Sequence, residues 1–301
     1  MAVNVLIVGA AGFLGSHLAD RLLADGCRVD AVDDLSRGSI ANLADARALG
    51  ATGGADFKFH HVGAGTPEFS SLVGMRRPDV LYHLAAVPRG RPSAGDLAAA
   101  FGATVHVLEA ARAHHVPKVV VALPASAMYG RPANRDLPVK EADVAPRGVR
   151  GVIVRAVVEL LAMHREHDAI EYTALALGNV YGPRQRPDGG VVAAFAAAAA
   201  NGEAPTLAGD GRQTRDFVFV DDVVDAMARA GTRGSGLVVN IGTGEQTPVR
   251  DVWTRVAGER AVTPLTGAPD DLPRFAVAPT RARIHLGWAP WTTLDEGLAQ
   301  L

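Results

Sequence analysis

The stretch Val5-Leu6-Ile7-Val8-Gly9-Ala10-Ala11-Gly12-Phe13-Leu14-Gly15 sends four apolar residues straight into three glycines spaced three apart. A helical pattern follows from Ser16 to Ala24, then a second apolar run, Arg28–Val32, which ends on Asp33. Strand, glycine turn, helix and acid-tipped strand, in that order, make a dinucleotide-binding βαβ unit. The glycines supply backbone angles that other residues resist. They also let amide groups come close to a pyrophosphate, at which the helix points its positive N-terminal end. Asp33, about 20 residues on, is placed to accept hydrogen bonds from the adenosine ribose hydroxyls. Its charge repels a 2′-phosphate and so favours NAD over NADP. Arg37 pulls the other way, but Asp33 stands closer to the ribose in the motif.

Further apolar runs recur at Phe57–His61, Val80–His83, Lys118–Leu123 and Tyr172–Leu177, with helical patterns at Leu97–His114 and Gly151–His167. This alternation predicts an α/β fold, a Rossmann-type doubly wound parallel sheet. After Leu177 the rhythm loosens. Pro183, Pro187, Gly189 and Gly190 mark one loop-rich region, and a second lies between Val262 and Pro279. Residues 1–178 are therefore expected to form the NAD-binding domain, with a segment at about 214–243 returning to it. Residues 179–301 are expected to be mainly a small C-terminal substrate-binding lobe.

The 301 residues carry a net charge of −2, with 48% hydrophobic and 21% charged side chains, so no nucleic-acid or membrane surface is expected. A lone Cys27 cannot form an internal disulfide, which fits a reducing, cytoplasmic setting. The apolar start lacks a basic leader and does not read as a signal peptide, and the run Val191–Ala200 is too short to span a bilayer. The 151–167 segment is apolar almost all round. Such a helix lies deep inside one chain or is covered by a second copy. The expectation taken here is a homodimer through helices at about 97–114 and 151–167.

Taken together, these features resemble the extended short-chain dehydrogenase/reductase family, in particular its NAD-dependent nucleotide-sugar epimerases and dehydratases. The turn from Gly9 through Phe13, Leu14 and Gly15 matches the family's opening. Asp33, Asp34, Leu35, Ser36 and Gly38 match its ribose-binding strand end, and Leu84, Ala85 and Ala86 the segment along the cofactor. Asn179-Val-Tyr-Gly-Pro-Arg-Gln185, Gly209 to Asp222, and Leu286-Gly-Trp-Ala-Pro290 match signatures further along. The resemblance implies that NAD and a nucleotide-diphosphate sugar bind. It also implies that Asn179 and Arg215 contact the sugar's diphosphate, unless Arg215 only pairs with Asp216 or Asp221.

The family's chemistry uses a Tyr, a Lys four residues later and an upstream Ser or Thr. A phenol with pKa near 10 needs that cationic neighbour to transfer protons at pH 7. Here Ala125 stands at the Ser/Thr position, with Ser126 one residue off. A register drawn through Glu159 puts Gly151 in place of the Tyr and Arg155 in place of the Lys, where Arg155 would grip ribose hydroxyls. An Asn expected in the preceding helix aligns with Ala100, and a second diphosphate Arg is missing around Gly267 and Ala268. Tyr129, with Ser126 beside it, is the expected substitute acid/base, and His83 ends the neighbouring strand. His164 and His167 have the spacing of a metal pair but no evident third ligand. They read as exposed groups at a helix C-terminus, and no metal is expected. Three readings follow: an epimerase or dehydratase with an altered active site, an inactive NAD/sugar-nucleotide scaffold, or an enzyme of another reaction type that holds NAD structurally.

Overall fold

Val5 and Ile7 enter one hydrophobic core and Leu6 and Val8 another, each at most 3% exposed. A strand buried on both faces is apolar at every position, which is why the opening run does not alternate with polar residues. The computed structural model describes residues 2–52, 56–88, 92–141, 145–258, 262–265 and 272–301. Seven strands form its main sheet: β1 (Asn4–Val8), β2 (Arg28–Asp33), β3 (Phe57–His61), β4 (Val80–His83), β5 (Lys118–Pro124), β6 (Glu171–Leu177) and β7 (Leu237–Ile241). Their order is β7-β6-β5-β4-β1-β2-β3 and every pairing is parallel. The sheet is the Rossmann-like one expected.

The helices in chain order among the described residues are α1 (Phe13–Ala24), α2 (Ala44–Thr52), α3 (Pro67–Arg76), α4 (Ala94–Ala113), α5 (Ala125–Tyr129), α6 (Gly148–Asp168), α7 (Val191–Asn201), α8 (Val220–Ala230), α9 (Val249–Ala257), α10 (Thr280–His285) and α11 (Leu294–Leu298). Leu18 and Leu22 of α1 share one core with Val223 and Met227 of α8. Leu72 of α3, Val107 of α4 and Val157 of α6 share the other. The chain builds outward from β1 to β3 in one direction and from β4 to β7 in the other. The strand ends of β1 and β4 therefore flank a topological switch point, the place where such sheets bind ligands.

Beyond β6, the short strand Asn179–Tyr181 pairs in parallel with Phe217–Phe219. Asp216, fully buried, anchors this region. Its carboxylate accepts bonds from the Thr243 amide and hydroxyl, the Gly244 amide and the Val277 amide, at 2.7–3.1 Å. Burial raises its pKa, and those donors work against the rise.

The apolar helix expected at 151–167 begins at Gly148 and turns only one face inward. Gly151, Val154, Val157 and Leu161 are buried, whereas Val149 and Val152 are 66% and 60% exposed and Met163 lies outside as well. Deep burial within one chain is thereby excluded for the outer face. No helix among the described residues is long and apolar enough to cross a membrane.

Gly15 shows how tightly α1 sits on the turn, since a Cβ there would meet the Gly9 carbonyl oxygen at 2.1 Å. Gly15→Ala should lower the unfolding free energy by at least the ~1–3 kcal/mol usual for overpacking. An unchanged urea midpoint would contradict that contact.

Candidate active site

The glycine turn leaves β1 at the switch point. Gly9 has φ +83°, a left-handed conformation that suits glycine, and the N-terminus of α1 follows with Gly12 as a cap that makes no side-chain bond. The backbone of this helix end, lacking a capping side chain, is shaped for an anionic group. Leu84 leaves β4 beside it, its amide donating to the Val8 carbonyl at 3.0 Å, with Ala85 against Gly9 and Ala86 buried. At the end of β2, Asp33 is 8% exposed, and its two oxygens accept the Ala11 and Leu35 amides at 2.9 and 2.8 Å. Burial raises its pKa and these two bonds oppose the rise. They lock the carboxylate beside the turn while leaving it further lone pairs. Asp34 accepts from the Ser36 amide and hydroxyl, and Gly38 packs close to Asp33. Arg37, which argued for a 2′-phosphate, lies 3.9 Å from Asp188.

A cavity of about 220 Å³ opens where the ends of β1, β4, β5 and β6 converge. Of the residues expected at a site, Leu14, Leu84, Ser126 and Asn179 line it. Gln185, Gly189, Gly190 and the first residues of α7 also line it, and α7 likewise starts without a side-chain cap. Among the described lining residues Arg150 is the only charged one, and there is no Tyr, Lys or His.

Position 150, not 155, faces the cavity. Arg155 does not line the cavity. It points outward, its Nε donating to Glu159 at 2.8 Å. Arg150 lines the cavity instead, in the first turn of α6, and Val154, one helical turn on, is fully buried. Gly151 is held against the neighbouring turn, since a Cβ on it would meet the Ala127 carbonyl at 2.7 Å. Glu159 serves a surface ion pair with Arg155. The readable signal was the Arg150-Gly151 pair, whose glycine has a steric reason to be there.

Tyr129 is the expected substitute acid/base. It is 1% exposed, its hydroxyl donates to Asn240 Oδ1 at 2.6 Å, and it does not line the cavity. Ser126 remains, its hydroxyl at the end of β5. Arg215 donates to the carbonyls of Thr214 and Leu272, at 2.7 and 2.6 Å, and does not line the cavity. Gly267 and Ala268 lie outside the described residues. His164, expected at the surface, is buried and bonds Asp168 at 2.8 Å. His167 is exposed, and no metal-binding cluster exists among the described residues.

His83 is fully buried at the end of β4, with Nε2 2.9 Å from Thr104 Oγ1. Because that hydroxyl donates to the Ala100 carbonyl, Nε2 carries the proton and Nδ1 is left without a partner. Burial pushes the imidazole pKa down to about 4.

A family model described as the NAD dependent epimerase/dehydratase family matches residues 5–242. A UDP-glucose 4-epimerase of Mycolicibacterium smegmatis is 39% identical over 322 aligned residues, spanning 99% of this chain and 97% of that protein. Two solved structures of UDP-glucose 4-epimerases are similar at 30% identity. One, from Thermotoga maritima with UDP-glucose, has a TM-score of 0.89 and covers 98% of this chain and 96% of its own. The other, from Thermus thermophilus in complex with NAD, has a TM-score of 0.88 and covers 99% and 97%.

The His83 geometry has a consequence for pH. The unfolded chain protonates this imidazole below about pH 6.5, whereas the folded chain keeps it neutral down to about 4. Stability is thus lost as pH falls through that window, at up to ~1.4 kcal/mol per unit. Urea unfolding at pH 7 and pH 5 should show a smaller acid loss for His83→Gln than for the unaltered protein. Equal losses would mean that His83 is already charged when folded.

Proposed function

The chain belongs to the NAD-dependent epimerase/dehydratase family, and on that premise we propose that it is an enzyme acting on a UDP-sugar through an altered proton-transfer site. The observation that carries the reading is the cavity beside the glycine turn, whose described lining offers a serine hydroxyl, two amide side chains and one guanidinium but no phenol or amine. The residues at the turn fit a dinucleotide. Gly9, Gly12 and Gly15 keep the backbone open to a pyrophosphate, with Phe13 and Leu14 in the following turn. Asp33 takes the ribose hydroxyls, and Leu84, Ala85 and Ala86 flank the cofactor. Bound there, NAD supplies hydride exchange with a sugar carbon.

The chain's own residues do the rest. Asn179 and the uncapped start of α7 receive the sugar's diphosphate, as a helix N-terminus does for anions generally. Arg215 steadies that loop through the Thr214 and Leu272 carbonyls. In this reading Arg150 and Val154, four residues apart, stand where the family's Tyr and Lys stand. A guanidinium stays protonated at neutral pH and cannot accept a proton. Among the described residues Ser126 is left as the one hydroxyl side chain lining the cavity. It orients a sugar oxygen whose proton leaves to water or to a group of the substrate. Residues 1–178, with about 214–243, serve the cofactor, and residues 179–301 mainly serve the sugar nucleotide.

UDP-glucose to UDP-galactose interconversion should run about 10²–10⁴-fold below the typical enzyme rate of ~10 s⁻¹, for want of a positioned acid/base. Arg150→Tyr combined with Val154→Lys should raise that rate in a coupled assay. Gly151→Tyr combined with Arg155→Lys should not, because the new Cβ runs into the Ala127 carbonyl. A gain from the second pair alone would return the register to Glu159.

The exposed Val149, Val152 and Met163 of α6, with Val105 of α4 beside them, support a homodimer through these two helices. Val149→Glu combined with Val152→Glu should halve the mass measured by light scattering. A monomer before substitution would remove the dimer.

A further inference from the structure

Arg150 brings a positive charge into the cavity, and nothing among the described residues answers it. Among the described residues no Asp or Glu lines the cavity, and the Nε of Arg150 is buried without a hydrogen-bond partner. The guanidinium takes part in no hydrogen bond or ion pair among the described residues. Burial alone lowers its pKa, because no carboxylate beside it holds the charge in place. Two other partly buried arginines have carboxylate partners. Arg76 meets Asp30 at 2.7 Å, and Arg184 reaches Asp20 at 2.6 Å and Asp45 as well. An unpaired, desolvated cation is costly unless a ligand completes it. Its position in the first turn of α6 adds the partial positive charge of a 21-residue helix to its own.

A neutral hexose would leave this charge unanswered, because hydroxyl groups bring no negative charge. A diphosphate has another receptor in the same cavity, at Gly189, Gly190 and the uncapped amides of α7. Arg150 therefore calls for a second anionic group, and its planar fork matches a carboxylate through two parallel hydrogen bonds. We propose that Arg150 is the receptor for a carboxylate on the sugar ring, so that the preferred substrate is a nucleotide-activated sugar acid rather than a neutral nucleotide hexose. This rests on the reading of the cavity as a UDP-sugar site. It adds a specificity-determining residue and narrows the substrate class. Arg150 has exchanged proton transfer for charge recognition.

Calorimetric titration of the NAD-loaded protein with UDP, UDP-glucose and UDP-glucuronic acid, repeated on Arg150→Gln and Arg150→Lys, tests the inference. The unaltered protein should bind UDP-glucuronic acid about tenfold or more tighter than UDP-glucose, as expected for a charge-assisted pair. Arg150→Gln should erase that preference while leaving UDP and UDP-glucose within about twofold. Arg150→Lys, which keeps the charge but loses the fork, should retain part of it. Equal affinity of the unaltered protein for the two sugars would overturn the carboxylate assignment and leave the UDP-sugar reading standing. Arg150→Gln weakening all three ligands alike would assign Arg150 to the diphosphate and overturn it in the same way. Failure of the unaltered protein to bind UDP at all would overturn the UDP-sugar reading and this inference with it.

Discussion

The contact between Gly15 and the Gly9 carbonyl sets the position of the first helix. With no side chain at Gly15, α1 begins within van der Waals reach of the β1 turn, closer than any Cβ would permit. From there Leu18 and Leu22 reach the core under the sheet, and α8 packs against the same face. That placement brings the N-terminus of α1, the end of β4 and the end of β2 to one edge of the sheet. Asp33 ties them further, since one of its oxygens holds Ala11 of the turn and the other Leu35 of the next loop. The cleft is a product of backbone packing before any side chain chooses a ligand.

On the far side of the switch point the constraints are buried hydrogen bonds rather than close packing. Asp216 gathers three segments of chain around one carboxylate, and Asn240 accepts from the Tyr129 hydroxyl while its amide nitrogen donates to the Val139 carbonyl at 2.9 Å. A tyrosine engaged in that way ties α5 to β7 of the sheet. It is poorly suited to exchange protons with a substrate, because each transfer would break a buried bond. Among the described residues, what remains in the cavity is one hydroxyl, two amides and an unanswered cation, a set that suits recognition of charge better than movement of a proton.

Much of this was legible in the sequence. The glycine triplet, the acid after β2 and the apolar runs of β1 to β6 each rest on local patterning, and each element appears within a few residues of its expected place. β7 was not anticipated, although Leu237-Val-Val-Asn-Ile241 lies between Gly236 and Gly242 as a short strand should. α8 also carried a readable signal, with Val220, Val223, Val224, Met227 and Ala230 at helical spacing. The cavity itself was harder. Whether position 150 or 151 faces inward depends on how α6 meets the Ala127 carbonyl, a tertiary contact that no spacing rule contains. The burial of His164 likewise depends on Asp168 and on α4 packing alongside.

The most direct measurement is a crystal structure of the protein with NAD and UDP-glucuronic acid. The cofactor's pyrophosphate should lie on the backbone of the Gly9–Gly15 turn, and the sugar carboxylate within about 3 Å of the Arg150 guanidinium. Tyr129 should still be bonded to Asn240. A sugar ring seated against the Tyr129 hydroxyl, or a carboxylate turned away from Arg150 into solvent, would contradict this picture.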